Sequence, residues 1–200
     1  MNVRINLRLE QGAATRGALL AAARSLFAQK GYFEASTEDL VVAAGVTRGA
    51  LYHHYTGKEA LFEAVFREVA RDLHERAASV AGPQEQHWNK LQVGLKVYLS
   101  EVADSTEMQR ILLVDGPAVF GWARWRTLQS EFGLGDLIRT IEALRGEGIV
   151  RFPSALPPAH LIMAALNEAA LMIAHADDPP RAARDAADVL NAMVEGLRAA

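Results

Sequence analysis

Between Ser36 and Phe66 the chain reads STEDLVVAAGVTRGALYHHYTGKEALFEAVF, and within it Thr47, Arg48, Gly49, Tyr52 and His53 fall where one short helix would turn them outward. A guanidinium forks onto a guanine edge, hydroxyl, phenol and imidazole groups donate to phosphate, and a glycine lets backbone come close to a duplex. Ser36 and Thr37 add hydroxyls at the opening of the preceding helix, and Lys58 adds an ammonium beside the N–H groups that open the following one. The chemistry such a set offers is recognition of double-stranded DNA, although helix-turn-helix packing also occurs in proteins that never touch DNA, where an Arg and a Tyr on a short helix are ordinary surface.

The flanking residues explain how that face would be held. Ser36 or Thr37 caps a first helix, with Asp39 three beyond Ser36 completing a capping-box pattern. Leu40, Val41 and Ala44 give the helix one apolar side, and Gly45 ends it by accepting positive φ. Val46 plugs the turn and Thr47 caps a second helix running from Arg48 to about His54. A helix this short is unstable alone, so it must lean on its neighbours through Leu51 and Tyr55. Two short helices behind a glycine-containing turn form a helix-turn-helix.

From about Thr15 to Phe66, and most specifically through GVTRGALYHHYTGKEALF, the sequence resembles the DNA-binding domain of the TetR family of transcriptional regulators. The resemblance implies an all-α protein: an N-terminal three-helix domain with a helix-turn-helix, joined by a long helix to a larger helical domain for ligand binding and dimerisation. It further implies a homodimer on a palindromic operator, commonly a repressor released by a small molecule, acting in the cytoplasm without a cofactor. The family's bodies vary widely, so the effector's identity does not follow. A DNA-binding dimer with no physiological ligand is an alternative, and a helical enzyme or ligand-binding protein a more remote one.

Composition agrees with this class. Half of the 200 residues are hydrophobic and 22% are charged, which suits a folded chain, and strand-like alternation is almost absent. With no cysteine, a disulfide scaffold and thiolate metal ligation are excluded. No signal-like segment follows Met1 and no uninterrupted apolar run approaches the ~20 residues that span a bilayer, so no membrane partner is expected. The net charge of −3 is unevenly spread: residues 1–58 hold seven basic groups against four acids, and the remainder fourteen against twenty. A basic head on an acidic body directs the attraction for phosphate to one end.

Along the chain, residues 1–14 with Arg4 and Arg8 read as a mobile arm or a frayed terminus, and Thr15 opens a helix carrying Leu19, Ala23, Leu26 and Phe27 to Lys30-Gly31. Tyr32 and Phe33 are expected to anchor the crossing to the next helix. A long helix from Lys58 ends near Ala81, and Gly82-Pro83 marks a boundary between a head, residues 1–58 extending to about 81, and a body, residues 83–200.

In the body, Trp88, Asp115, Phe120, Trp122 and Trp125, with Met163, Asn167 and His175, are candidate ligand contacts. Aromatic surface with a few polar groups suits an apolar or aromatic molecule, although tryptophans also serve as core filler. Leu161, Ala165, Ala169, Met172, Val189, Leu190, Met193 and Leu197 give the last two helices a broad apolar surface that either closes the core or forms a four-helix dimer seam. Adjacent His53 and His54 project about 100° apart, a poor chelating geometry. No nucleophile elbow, phosphate loop or dinucleotide fingerprint is present, so neither catalysis nor a metal is expected.

Overall fold

The structure, a computed structural model, describes residues 3–81 and 86–199, with side chains described from Glu10 onward except that of Ala81. Ten α-helices follow one another among these residues: α1 (Val3–Lys30), α2 (Thr37–Ala44), α3 (Arg48–His54), α4 (Lys58–Ala81), α5 (His87–Asp104), α6 (Thr106–Met108), α7 (Gly116–Ser130), α8 (Leu134–Gly146), α9 (Leu156–Ala174) and α10 (Pro179–Glu195). Between α6 and α7, Gln109–Asp115 winds as a π-helix. The all-α expectation holds.

Two compact units divide at Val69 and Ala70, inside α4. The boundary expected at Gly82-Pro83 falls outside the described residues. The physical reason for the earlier division is where α4 buries its apolar side. Leu61, Phe62, Val65 and Phe66 belong to the first unit's core, whereas Leu73 and Ala77 are buried in the second.

In the first unit, α1, α2 and α3 pack on one another around Leu19, Ala23, Phe27, Leu40 and Leu51. Phe27 and Phe62 meet edge to face with centroids 5.2 Å apart, the offset geometry that aromatic quadrupoles favour. Arg24 donates to Glu68 at 2.9 Å, tying α1 to α4. The first helix begins earlier than expected, at Val3. Thr15 does not open it, because the Thr15 hydroxyl donates back to the Gln11 carbonyl at 2.9 Å, a bond made inside a helix. The mobile-arm reading of residues 3–14 is corrected accordingly; the side chains of Arg4 and Arg8 lie outside the described set. Tyr32 stacks on Phe62, but Phe33 is 66% exposed and takes no core role.

In the second unit, α5 packs against α10, α9 and α8, and α9 also against the π-helix. Leu91, Leu95, Leu99 and Val102 recur at helical spacing on the buried side of α5. Near the chain end Ala199 N–H donates to the Ile149 carbonyl at 2.8 Å. By length and composition alone α9 is apolar enough to cross a membrane, which uninterrupted runs did not reveal. Its apolarity has a packing explanation, since Ile162, Leu166, Ala170 and Ile173 fill the body's core.

Candidate nucleic-acid interface and the cavity of the body

Local chemistry builds the first candidate site. Ser36 caps α2: its hydroxyl accepts from Asp39 N–H at 3.0 Å, and the Asp39 carboxylate accepts from Ser36 N–H at 3.1 Å. These bonds hold the exposed Asp39 carboxyl below its ordinary range, led by the one from the Ser36 backbone. Gly45, at φ 64°, ends α2 in the left-handed region that a side chain would strain. Thr47 then caps α3, its hydroxyl accepting from Ala50 N–H at 3.2 Å.

With both ends fixed, α3 has two unlike sides. Leu51 and Tyr55 are buried, while Thr47, Arg48, Gly49 and His53 are exposed and Tyr52 is 49% exposed. The Arg48 guanidinium lies 5.8 Å from the centre of the Tyr52 ring, so the two side chains stand together on the outer face. Ser36 is exposed and Thr37 half-buried. A guanidinium, a phenol, an imidazole and hydroxyls thus stand on the exposed side of a helix anchored from below.

Lys58 does something other than expected. Its ammonium donates to the carbonyls of Tyr32 at 2.8 Å and Ala35 at 3.0 Å and sits 4.2 Å from the Tyr32 ring centre. The segment between α1 and α2 leaves carbonyls without helical partners, and Lys58 satisfies two of them. Burial lowers its pKa from the ordinary lysine value. These contacts of Lys58 are internal to the head, a role the sequence alone did not assign it.

A second site lies within the body, a cavity of about 180 Å³. Ala70, Leu73, His74 and Ala77 of α4 form one wall, Leu91, Leu95 and Tyr98 of α5 another. The α7–α8 corner contributes Gln129, Phe132 and Thr140, and α9 contributes Met163, Leu166 and Asn167. His74 Nε2 meets Asp136 Oδ2 at 2.6 Å on the lining. Desolvation pushes the Tyr98 phenol up to about 12, so it stays neutral.

Of the eight residues expected to touch a ligand, Met163 and Asn167 line this cavity; the other six are placed elsewhere. Trp88 is buried with its Nε1 donating to Glu195 at 3.2 Å, under the Arg198 guanidinium, and so ties α5 to the end of α10. Trp125 is fully buried and donates to the Leu112 carbonyl at 2.7 Å, a carbonyl of the π-helix. Trp122 is 56% exposed. Gly121, at φ 73° and ψ 158°, breaks the helix just before Trp122. Asp115 is buried against Arg110, Phe120 stacks on Arg124, and exposed His175 bonds to the Leu171 carbonyl of its own helix. The signal that picks out Asn167, a polar group inside an apolar helical run, is absent at Gln129, which Thr127, Ser130 and Glu131 surround in sequence.

The expected seam separates in a similar way. Leu161, Met172, Val189 and Met193 are exposed, and Ala165 and Leu197 half-buried. Ala169 and Leu190 instead face the protomer's own core.

Two family models cover these regions: bacterial regulatory proteins of the tetR family match residues 19–65, and the tetracyclin repressor-like C-terminal domain matches 88–197. The chain belongs to the TetR family. A TetR-family transcriptional regulator from Pectobacterium atrosepticum has a similar structure, with TM-score 0.84 and 33% identity over 96% of this chain and 97% of that one. The HTH-type transcriptional repressor Rv1474c of Mycobacterium tuberculosis is 45% identical over 69 residues, 34% of this chain and 35% of its own length. The probable acrEF/envCD operon repressor of Escherichia coli K12 is 34% identical over 104 residues, 49% of this chain and 46% of that protein. The chain thus matches less than half the length of these two relatives. TetR-family members are transcriptional regulators, not enzymes, and they bind DNA operators and small-molecule ligands as dimers.

Proposed function

We propose that this TetR-family protein is a cytoplasmic repressor whose homodimer grips a palindromic operator through two copies of α3 and releases it when a small, largely apolar molecule fills the cavity of the body. The observation that carries the reading is the division of α3, with Leu51 and Tyr55 anchored and Arg48, Tyr52 and His53 outward. In this reading Arg48 reads a base edge, Tyr52, His53 and the hydroxyls of Ser36, Thr37 and Thr47 meet phosphates, and Gly49 allows close approach.

Dimerisation has a physical motive. A single short helix makes few base contacts, each worth about 1–3 kcal/mol, and a two-fold axis doubles them. Leu161, Ala165 and Met172 of α9 with Val189 and Met193 of α10 are the apolar residues we assign to the seam. Coupling would run along α4, which has residues in the head's core and in the cavity wall. A coupling of about 1–3 kcal/mol changes operator affinity roughly 5- to 150-fold, sufficient for a switch. Titration of apolar compounds against the protein–operator complex tests the reading. Release by a compound that binds the body is expected, and binding to the body with undiminished operator affinity would leave a dimer that does not sense.

A further inference from the structure

The effector reading leaves the ligand's chemistry open, and the cavity constrains it. Its volume of about 180 Å³ is slightly above the ~150 Å³ of an engineered apolar cavity that takes up benzene, so one ring with a small substituent fits. The walls are mostly aliphatic and aromatic, and two lining residues carry buried polar atoms with no hydrogen-bond partner: Nε2 of Gln129, itself 5% exposed, and Oδ1 of Asn167. Buried donors and acceptors are nearly always satisfied, so these two are the groups a bound molecule would complete.

Charge narrows the class further. The lining holds His74 paired with Asp136, and Asp136 is also paired with Arg139. Counted formally, Lys90 and Asp136 are one basic and one acidic residue on the lining, which apart from His74 therefore carries no net charge to favour an anion. The unpartnered groups are neutral amides on α7 and α9. With Nε2 of Gln129 a donor and Oδ1 of Asn167 an acceptor, a hydroxyl, which accepts and donates, satisfies the pair, whereas a carboxylate only accepts.

Resting on the proposed effector function, we infer that the ligand is an uncharged, single-ring molecule bearing a hydroxyl, a phenol or a cyclic alcohol, whose oxygen bonds to Gln129 and Asn167. Tyr98 lines the same cavity and stays protonated, so its presence adds no charge against such a molecule.

Calorimetry on the full-length protein with three probes of matched shape tests this: 4-ethylphenol, ethylbenzene and 4-ethylbenzoate. The phenol should bind about tenfold more tightly than ethylbenzene. That advantage should shrink several-fold in Gln129→Leu and in Asn167→Leu, while ethylbenzene binding persists in both. Because each substitution removes a buried group without a partner, the unliganded variants should melt at or above the wild-type temperature. Tightest binding by the benzoate, equal binding of all three, no saturation by any, or a lowered melting temperature in both variants would overturn the assignment. Operator release is measured separately. Phenol binding without release would refute the sensing role and leave the ligand class standing, and release by a compound outside this class, with the phenol failing to bind, would do the reverse.

Discussion

Replacing Lys58 by methionine separates a structural role from a phosphate contact. The wild-type ammonium makes two charge-assisted bonds, to the carbonyls of Tyr32 and Ala35, and faces the Tyr32 ring. Bonds of this kind contribute about 1.5–3 kcal/mol each. Two opposing effects reduce the sum: burial disfavours the charged form, as the lowered pKa records, and the half-buried site lets water reach the carbonyls once the lysine is gone. The head should therefore lose about 1–2 kcal/mol, less than two full bonds and more than a surface substitution. Amide hydrogen exchange over residues 31–36 and 58–62 would localise that loss to the corner between α1 and α2. Operator affinity measured across a salt series supplies the decisive contrast. A lost phosphate contact flattens the logarithmic salt slope by about 0.9, whereas a weakened scaffold lowers affinity with the slope nearly unchanged. A slope flattened by a full contact, with exchange at the corner unaltered, would refute the structural assignment.

Other substitutions address the remaining parts of the account. Arg48→Ala should leave head stability within about 0.5 kcal/mol and relax base preference at one operator position by about 1–3 kcal/mol, read by competition between variant operators. Trp125→Phe removes the bond to the Leu112 carbonyl from a fully buried site and opens a void, so urea unfolding followed by circular dichroism should show the body destabilised by about 2–4 kcal/mol. The paired change Leu161→Glu and Met193→Glu affects exposed positions, so the protomer should stay folded while sedimentation shows a shift from dimer to monomer; an unchanged dimer would remove these residues from the seam.

The helix-turn-helix was legible because its determinants are local. Ser36 with Asp39, Gly45 and Thr47 each act within a few residues of themselves, and the structure gives every one of them its expected bond or dihedral angle. The internal bonds of Lys58 were not legible because its partners, Tyr32 and Ala35, are more than twenty residues away. The same limit applies in the body. Gln129, Tyr98, Thr140 and Asn167 come from four helices and meet only through packing, so no spacing along the chain announces their cavity. The tryptophan pair misled for a different reason. A spacing of three suggests one helical face, and the two rings do lie together with centroids 4.9 Å apart, but Trp125 is fully buried, Trp122 is more than half exposed, and neither lines the cavity. For α9 and α10, apolar residues were recognisable, but which of them point inward, as Ala169 and Leu190 do, depends on the partner helices.

Selection of bound sequences from a random pool of duplex DNA by the full-length protein tests the central claim most directly. The account predicts enrichment of an inverted repeat whose half-sites are read from successive major grooves, about one helical turn or a small multiple apart, with enrichment lost in Arg48→Ala. No enrichment, or a lone half-site bound equally well by the Arg48→Ala protein, would contradict it.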